Sequence, residues 1–456
     1  MTLILPEAFR SRIAAQMGSE QQLFFQALEA PAPVSLRLNP QKVSPPHFDQ
    51  AEMVPWCANG RYLPEKPVYT LDPFFHAGSY YPQEASSMVL DWILKQLDDR
   101  LPDDPVLLDL CGAPGGKSTL MSAFLDGRGL LVSNEVIKSR ANVLAENMAK
   151  WGQVNQVVTR SDPSAFSALE GLFDLMVVDA PCSGEGMFRK DVRAIEEWSS
   201  DNARHCALRQ QRILSAAWPA LKQGGYLIYS TCTFNPEENE AHLRWLAAEY
   251  GAEILPLRVP GDWGTVALPV DQGNGLAFYP HKVKGEGFFV ALLRKTSGVF
   301  AFSAPKAEKK KDRKAAVPAE LNRLLVSGAW HFEEAQEGWR AFPAEQQGLL
   351  QLLQRHVDVL SYGVLLGQAL KAHWVPASEL ALSTSLHPGA FPGYEPDLSA
   401  ALRYLKGEAL EAPQDLPRGY VLLSYAGAAL GFGKNIGRRI NNLFPAPWRI
   451  RMSLPQ

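Results

Sequence analysis

Two cysteines each stand just past an apolar run that reads as a buried strand. Cys182 closes FDLMVVDAPCSGEG (Phe173 to Gly186), and Cys232 closes GGYLIYSTCTFNPEEN (Gly224 to Asn239). A thiolate is a strong, soft nucleophile. Added to C6 of a pyrimidine, it breaks aromaticity and makes C5 enamine-like, so that C5 attacks the methyl of a sulfonium donor. A base then removes the C5 proton, and the thiolate leaves by elimination. Charge develops at N3 during the addition, so an acid there helps. Asp179, three residues before Cys182 in DAPC, is placed for that role. Spacing alone does not say which sulfur adds to the ring and which helps to resolve the product. A single buried cysteine is most often a packing residue. That reading suits Cys57, Cys206 and mostly Cys111, whereas turn-forming polar or glycine residues flank Cys182 and Cys232.

A third strand signal, PVLLDLCGAPGGKS (Pro105 to Ser118), ends in a glycine-rich turn. Its small residues, Cys111, Gly112, Ala113, Pro114, Gly115, Gly116 and then Lys117, sit where backbone must approach a ligand, and a helix starts straight after. A phosphate-binding P-loop needs glycine at the position of Cys111, so that pattern fails, and the dinucleotide GxGxxG spacing is absent. What remains is a nucleoside-carrying cofactor without a pyrophosphate, such as S-adenosylmethionine. Glu135 ends the next strand, where a carboxylate can accept both ribose hydroxyls. Asp162 ends the strand after that and is placed to accept from an adenine amino group.

These groups need a scaffold that brings strand ends together. From about residue 76 to 296 strands and helices alternate. Strands are expected at Val106–Asp109, Leu130–Asn134, Gln156–Arg160, Leu175–Asp179 and Tyr226–Ser230, and helices at Ser118–Phe124, Lys138–Lys150 and Arg204–Ala220. The pattern predicts an α/β fold, a Rossmann-like, mostly parallel, doubly wound sheet. The run Phe288–Leu293 is expected to close it as an antiparallel edge strand. In such a sheet all the strand C-termini face one crevice, so the cofactor loop and both thiols share a cleft.

Residues 1–75 read as a small N-terminal α+β domain that packs or binds RNA, and 76–298 as the catalytic domain. A basic linker is expected at 299–318, with the run KAEKKKDRK (Lys306 to Lys314). A mainly helical region should follow at 319–384, then a β-rich module at 385–456 in which GYVLLSYAGAALGFG forms a hairpin. The 456 residues carry 46% apolar content and allow several domains. Five cysteines without paired spacing indicate neither a disulfide framework nor a metal site, and no metal is expected. With no apolar signal segment and no apolar run of 18 residues, the expectation is a monomer in a reducing cytoplasm, away from membranes. The net charge of −3 hides an uneven distribution, since Arg418 to the C-terminus holds six Lys/Arg and no Asp/Glu.

The motifs resemble the RNA (cytosine-5) methyltransferase family, the Nol1/Nop2/Sun group. CGAPGGKS is similar to its cofactor loop, DAPCSGEG to its first cysteine motif and STCTFNPEENE to its second. HAGSYYPQEASSM and PHKVKGEGFFVALLRK are similar to its flanking motifs. The resemblance implies that residues 111–117, Glu135, Asp162 and Asp179 line an S-adenosylmethionine site. It implies Cys232 as the C6 nucleophile and Cys182 as the residue that assists release. DNA cytosine-5 methyltransferases use the cysteine of a Pro-Cys pair instead, here Cys182. The length beyond residue 300 resembles bacterial small-subunit rRNA methyltransferases with a C-terminal PUA-like module, its Lys434, Arg438 and Arg439 facing phosphate. The implied substrate is 16S rRNA or the small ribosomal subunit, with tRNA, or a non-catalytic assembly role, as the alternatives. A cytosine must be single-stranded or flipped out to present C6. Tyr80, Tyr81 and Phe188 are candidate stacking rings for it, and Arg189, Lys190 and Arg193 candidate phosphate contacts.

Overall fold

The computed structural model describes residues 3–299, 318–370 and 373–454. The basic run Lys306 to Lys314 and the linker around it lie outside the described residues. At the centre are five parallel strands, β1 (Val106–Asp109), β2 (Leu130–Asn134), β3 (Gln156–Thr159), β4 (Phe173–Asp179) and β5 (Leu221–Thr231). Their side chains are almost all buried, because both faces are covered. Leu108, Val132, Val157 and Met176 point into one layer of core, with α3 (Ser200–Ala217) and α4 (Glu240–Tyr250). Leu107, Leu131, Val158 and Leu175 point into the other, with α1 (Gly116–Leu125) and α2 (Lys138–Trp151). This is the doubly wound arrangement that the apolar runs predict.

Antiparallel strands lie at both ends of the sheet. Adding β6 (Val266–Val270), β7 (Gly273–Phe278), β8 (Phe288–Arg294) and β9 (Val359–Tyr362), the order is β6-β7-β8-β5-β4-β1-β2-β3-β9. The expected antiparallel strand is β8, paired with β5, but it is not the outermost one. Its fully apolar sequence fits an interior place better than a rim, and β7 and β6 continue beyond it. The other end is closed by β9, which comes from beyond the linker and pairs with β3. Asp358 holds that junction. Its backbone N–H donates to Ser161 Oγ at 2.8 Å, and its carboxylate takes Arg160 Nη2 at 2.6 Å.

The N-terminal segment is α+β, with helices Glu7–Met17 and Gln21–Glu29 and a four-stranded sheet that includes Val34–Leu38 and Tyr80–Pro82. Residues 319–384 depart from the mainly helical expectation. The Leu- and Gln-rich stretch does form a helix, Gln347–His356, but strands Trp330–Ala335, Gly338–Pro343, Val364–Leu370 and His373–Pro376 form an antiparallel sheet around it. The overlooked signal is Gly338 (φ 132), which opens the second of two antiparallel strands joined through Gln336 and Glu337. Its hypothetical Cβ would meet Gly367 O at 2.2 Å, so only glycine fits. Beyond residue 385 the expected hairpin is present, Gly419–Tyr425 with Ala428–Asn435. Ala426 (φ 44) and Gly427 (φ 78) give it the positive-φ pair that two-residue hairpins favour.

Leu353, on the helix Gln347–His356, is wholly buried in the same core layer as β1–β4. Leu353→Ala is expected to remove about 2–5 kcal/mol. Calorimetry should show the transition of the catalytic sheet itself moving down, and an unmoved transition would contradict a shared core.

Candidate active site

The loop after β1 is shaped by what surrounds it. Gly112 N–H donates to Asn134 O at 2.8 Å, and a Cβ on Gly112 would lie 2.7 Å from Ser118 Oγ. Gly115, at φ +121, ends the turn in a conformation that side chains resist. Asn134 joins the three strand ends, donating to Leu110 O (3.1 Å) and Ser161 O (3.0 Å) and accepting from Ser161 N–H (2.9 Å). The sequence analysis missed it, although a polar residue closing LLVSN was a signal. Glu135 follows and is buried. Its carboxylate accepts from Ile137 N–H at 2.9 Å and pairs with Arg140, which also donates to Ala113 O at 2.9 Å.

A cavity of about 450 Å³ runs from this end to the thiols. Cys111, Ala113, Glu135, Ile137 and Arg140 line one part, and Asp179, Cys182 and Cys232 the other. Sequence reasoning thus names residues that do converge. Of the seven loop residues only Cys111 and Ala113 are on the wall, while Gly112 and Pro114–Gly116 form the turn behind it. Lys117 is not on the wall either. It turns to Asp179, with Nζ 2.7 Å from Oδ2, and Asp179 also accepts from Ser230 Oγ at 2.8 Å. Burial by itself lowers the Lys117 ammonium, but the Asp179 carboxylate outweighs it and leaves Lys117 above its ordinary range. Asp162 is off the wall too, capping Ser164 N–H and paired with Arg212 at 3.2 Å. Its neighbour Pro163 and Arg212 itself do line the cavity.

The two sulfurs lie 3.2 Å apart. The hydrogen bond with Cys232 pushes the Cys182 thiol well above its usual range, and burial adds to this. The two sulfurs are within hydrogen-bonding distance, and either thiol can be the donor.

The chain is similar to known proteins along nearly its whole length. Residues 97–294 match the family described as 16S rRNA methyltransferase RsmB/F, residues 5–85 the N-terminal domain of 16S rRNA methyltransferase RsmF, and residues 391–450 the methyltransferase RsmF PUA domain. A ribosomal RNA small subunit methyltransferase F from Aliivibrio fischeri (strain MJ11) is 32% identical, covering 97% of each chain. The chain belongs to the RsmB/F family of 16S rRNA methyltransferases. The protein of the same name from Salmonella typhi is 33% identical over 96% of this chain and 95% of its own. Among solved structures, a methyltransferase homolog protein from Pyrococcus horikoshii has a TM-score of 0.55 at 29% identity, covering 64% of this chain and 95% of its own.

In this methyltransferase the two cysteine turns are held to each other. Glu238, from the second motif, is wholly buried and accepts from Ser183 N–H and Gln210 Nε2, each at 2.9 Å. Glu185, from the first motif, is as deeply buried and accepts from Phe234 N–H at 3.2 Å and Trp198 Nε1 at 2.9 Å. Arg12 of the N-terminal helix completes the Glu185 site with an ion pair. Gly186 N–H donates to Cys232 O at 2.8 Å, and Gln210 Nε2 reaches Pro181 O at 3.1 Å. Each turn thus supplies the carboxylate that grips the other. None of Arg12, Glu185, Gln210 or Glu238 was singled out from sequence, although glutamates within glycine- and asparagine-rich turns were the available signal.

Several expected RNA contacts are corrected. Phe188 and Tyr80 are buried, Phe188 against Phe9 at 5.0 Å between centroids and Tyr80 with its hydroxyl on Asp72. Neither offers a face to a base, because their rings fill core. Tyr81 is half-buried. Arg189 is taken by Glu286 at 3.0 Å, and Arg193 pairs with Asp191 at 2.8 Å. Arg438 and Arg439 are exposed, and Lys434 stands over the Tyr420 ring.

Glu238→Gln places an amide against Gln210 and loosens the Ser183 turn. It should lower kcat by roughly tenfold to a hundredfold and leave cofactor affinity unchanged, read by single-turnover methylation and cofactor titration. Asp109, wholly buried behind the loop, is pushed up to about 6 by burial, with Ser118 Oγ at 2.6 Å opposing. Its contribution to stability is complete below its ordinary value of 3.8 and is lost as pH rises through about 6. Asp109→Asn keeps the Ser118 bond and should gain melting temperature relative to the parent from about pH 4 to pH 7, by an amount on the order of 3 kcal/mol.

Proposed function

We propose that this protein transfers the methyl group of S-adenosylmethionine to C5 of a cytosine in 16S rRNA, through a covalent bond between Cys232 and C6. The observation that carries the reading is the thiol pair, 3.2 Å apart, in the cavity that also holds Glu135. When bound, S-adenosylmethionine supplies a methyl group activated on a sulfonium. The residues suit it. Glu135 offers a carboxylate to ribose hydroxyls, and the exposed side chains of Val136 and Ile137 offer apolar surface to a purine.

The likeness of STCTFNPEENE to the family's second cysteine motif supports Cys232 as the sulfur that bonds carbon, with Cys182 3.2 Å away as its partner. As Cys232 adds to C6, Asp179 on the cavity wall meets the N3 edge, and a proton shared with the Lys117 ammonium 2.7 Å behind it offsets the charge growing there. After methylation the C5 proton passes to solvent and the C6–S bond breaks. The Cys182 thiol, already against that sulfur, stabilises the departing thiolate by hydrogen bonding. That is how it assists release. The likeness along nearly the whole chain to small-subunit methyltransferases favours 16S rRNA over tRNA, with the C-terminal module as an RNA contact through Lys434, Arg438 and Arg439. The reading is of a monomer acting in the cytoplasm. No described helix is long and apolar enough to cross a membrane.

Cys232→Ala should abolish methylation, whereas Cys182→Ala should accumulate a protein–RNA adduct that survives denaturing electrophoresis. RNA carrying 5-fluorocytosine should trap the parent enzyme, with the crosslink on the peptide containing Cys232. A crosslink on Cys182 instead would reverse the roles. Bisulfite sequencing of 16S rRNA and tRNA from a deletion strain should show the lost 5-methylcytosine in 16S rRNA.

A further inference from the structure

A second opening lies where the N-terminal sheet meets the catalytic domain. It is a groove of about 530 Å³, lined among others by Ser35, Lys66, Tyr69, Gln83, Glu84 and Lys190, and it shares no lining residue with the methyltransferase cavity. Two connections tie it to the site. Lys190 lies four residues past Gly186, the end of the motif that carries Cys182 and Glu185. The Gln83 side chain lies against the cofactor loop, its Cδ 3.5 Å from where a Cβ on Gly116 would stand, next to Lys117.

The groove lining carries two lysines and one carboxylate. Lys66 is exposed and has no ion pair or hydrogen bond among the described residues. Lys190 is 3.7 Å from Glu286, but Arg189 already occupies that carboxylate at 3.0 Å. The one carboxylate in the lining, Glu84, is turned to backbone and accepts from Ser86, Ser87 and Glu286 N–H groups at 2.8–3.0 Å. Tyr69 adds a half-buried ring whose hydroxyl has no partner among the described residues. One free ammonium, a second that shares its carboxylate with Arg189, and an aromatic ring, in a groove bordering the cofactor loop, match what holds a single nucleic-acid strand.

We propose that this groove holds the single-stranded RNA flanking the target cytosine, with phosphates on Lys66 and Lys190 and a base against Tyr69. The inference rests on the functional reading above and adds where the substrate strand runs. A flipped-out base needs its neighbours held, because unstacking otherwise reverses. The groove supplies that hold from the N-terminal side.

The test is the full chain with Lys66→Ala and Lys190→Ala together, titrated with a 16S rRNA transcript over a series of salt concentrations. RNA Kd and KM should rise roughly tenfold, and the slope of log Kd against log salt should fall by about 1.4, two phosphate contacts on a single strand. kcat, S-adenosylmethionine affinity and melting temperature should stay as in the parent, and the double arginine variant should bind as the parent does. Tyr69→Leu should raise KM, and Tyr69→Phe should not. An unchanged salt slope and KM overturns the proposal, as does a loss confined to kcat. Binding is read without catalysis, so a parent chain that binds rRNA but methylates none would remove the functional reading while the titration still decides the groove.

Discussion

The site depends on an exchange of buried carboxylates. Glu185 and Glu238 each leave their own cysteine turn and bind the backbone of the other, so neither thiol turn keeps its shape alone. Burying a carboxylate is costly unless donors replace its water. Here each has several, and Glu185 also has the Arg12 cation. Charge-assisted bonds of this kind are short and directional, which is what holding two sulfurs at 3.2 Å requires. Removing one partner would leave a bare charge in the core rather than a mere gap.

The exchange also explains why pieces far apart in the chain belong to one site. Arg12 and Gln16 of the first helix reach the backbone carbonyl of Phe234, two residues past Cys232. Arg37, fully buried on the N-terminal sheet, donates to Gly116 O and Thr119 Oγ1 at the start of α1 and lies on the Trp151 ring. From the other direction β9 completes the sheet at β3, and Asp358 fastens Arg160 and Ser161 just before Asp162. The flanking regions therefore brace the elements that carry the cavity walls.

Much of the architecture is legible because parallel strands buried on both faces need unbroken apolar runs, and those runs are short, distinct and bounded by turns. The strands Val106–Asp109 and Leu130–Asn134 match their expected bounds for that reason, and the strand expected from Leu175 ends at Asp179 as expected but starts two residues earlier, at Phe173. Residues 319–384 were less legible. Leucine and glutamine at Gln347–His356 gave a true helical signal, but in the hairpin around Gly338 one strand is only partly buried and the other is buried on both faces, so neither shows an alternating apolar contrast. An isolated strand such as β9 carries no local sign of which sheet it will join.

The chain's own order of residues determined that a cofactor loop, two thiols and Asp179 would meet, because strand ends of a parallel sheet converge wherever the intervening helices lie. Folding in three dimensions decided what each group does there. Lys117 turns to Asp179 behind the cavity wall, Asp162 is a cap paired with Arg212, and Cys182 lies 3.2 Å from Cys232. Those outcomes depend on distances of a few ångströms between residues tens of positions apart. Local propensity says nothing about such distances, and packing sets all of them.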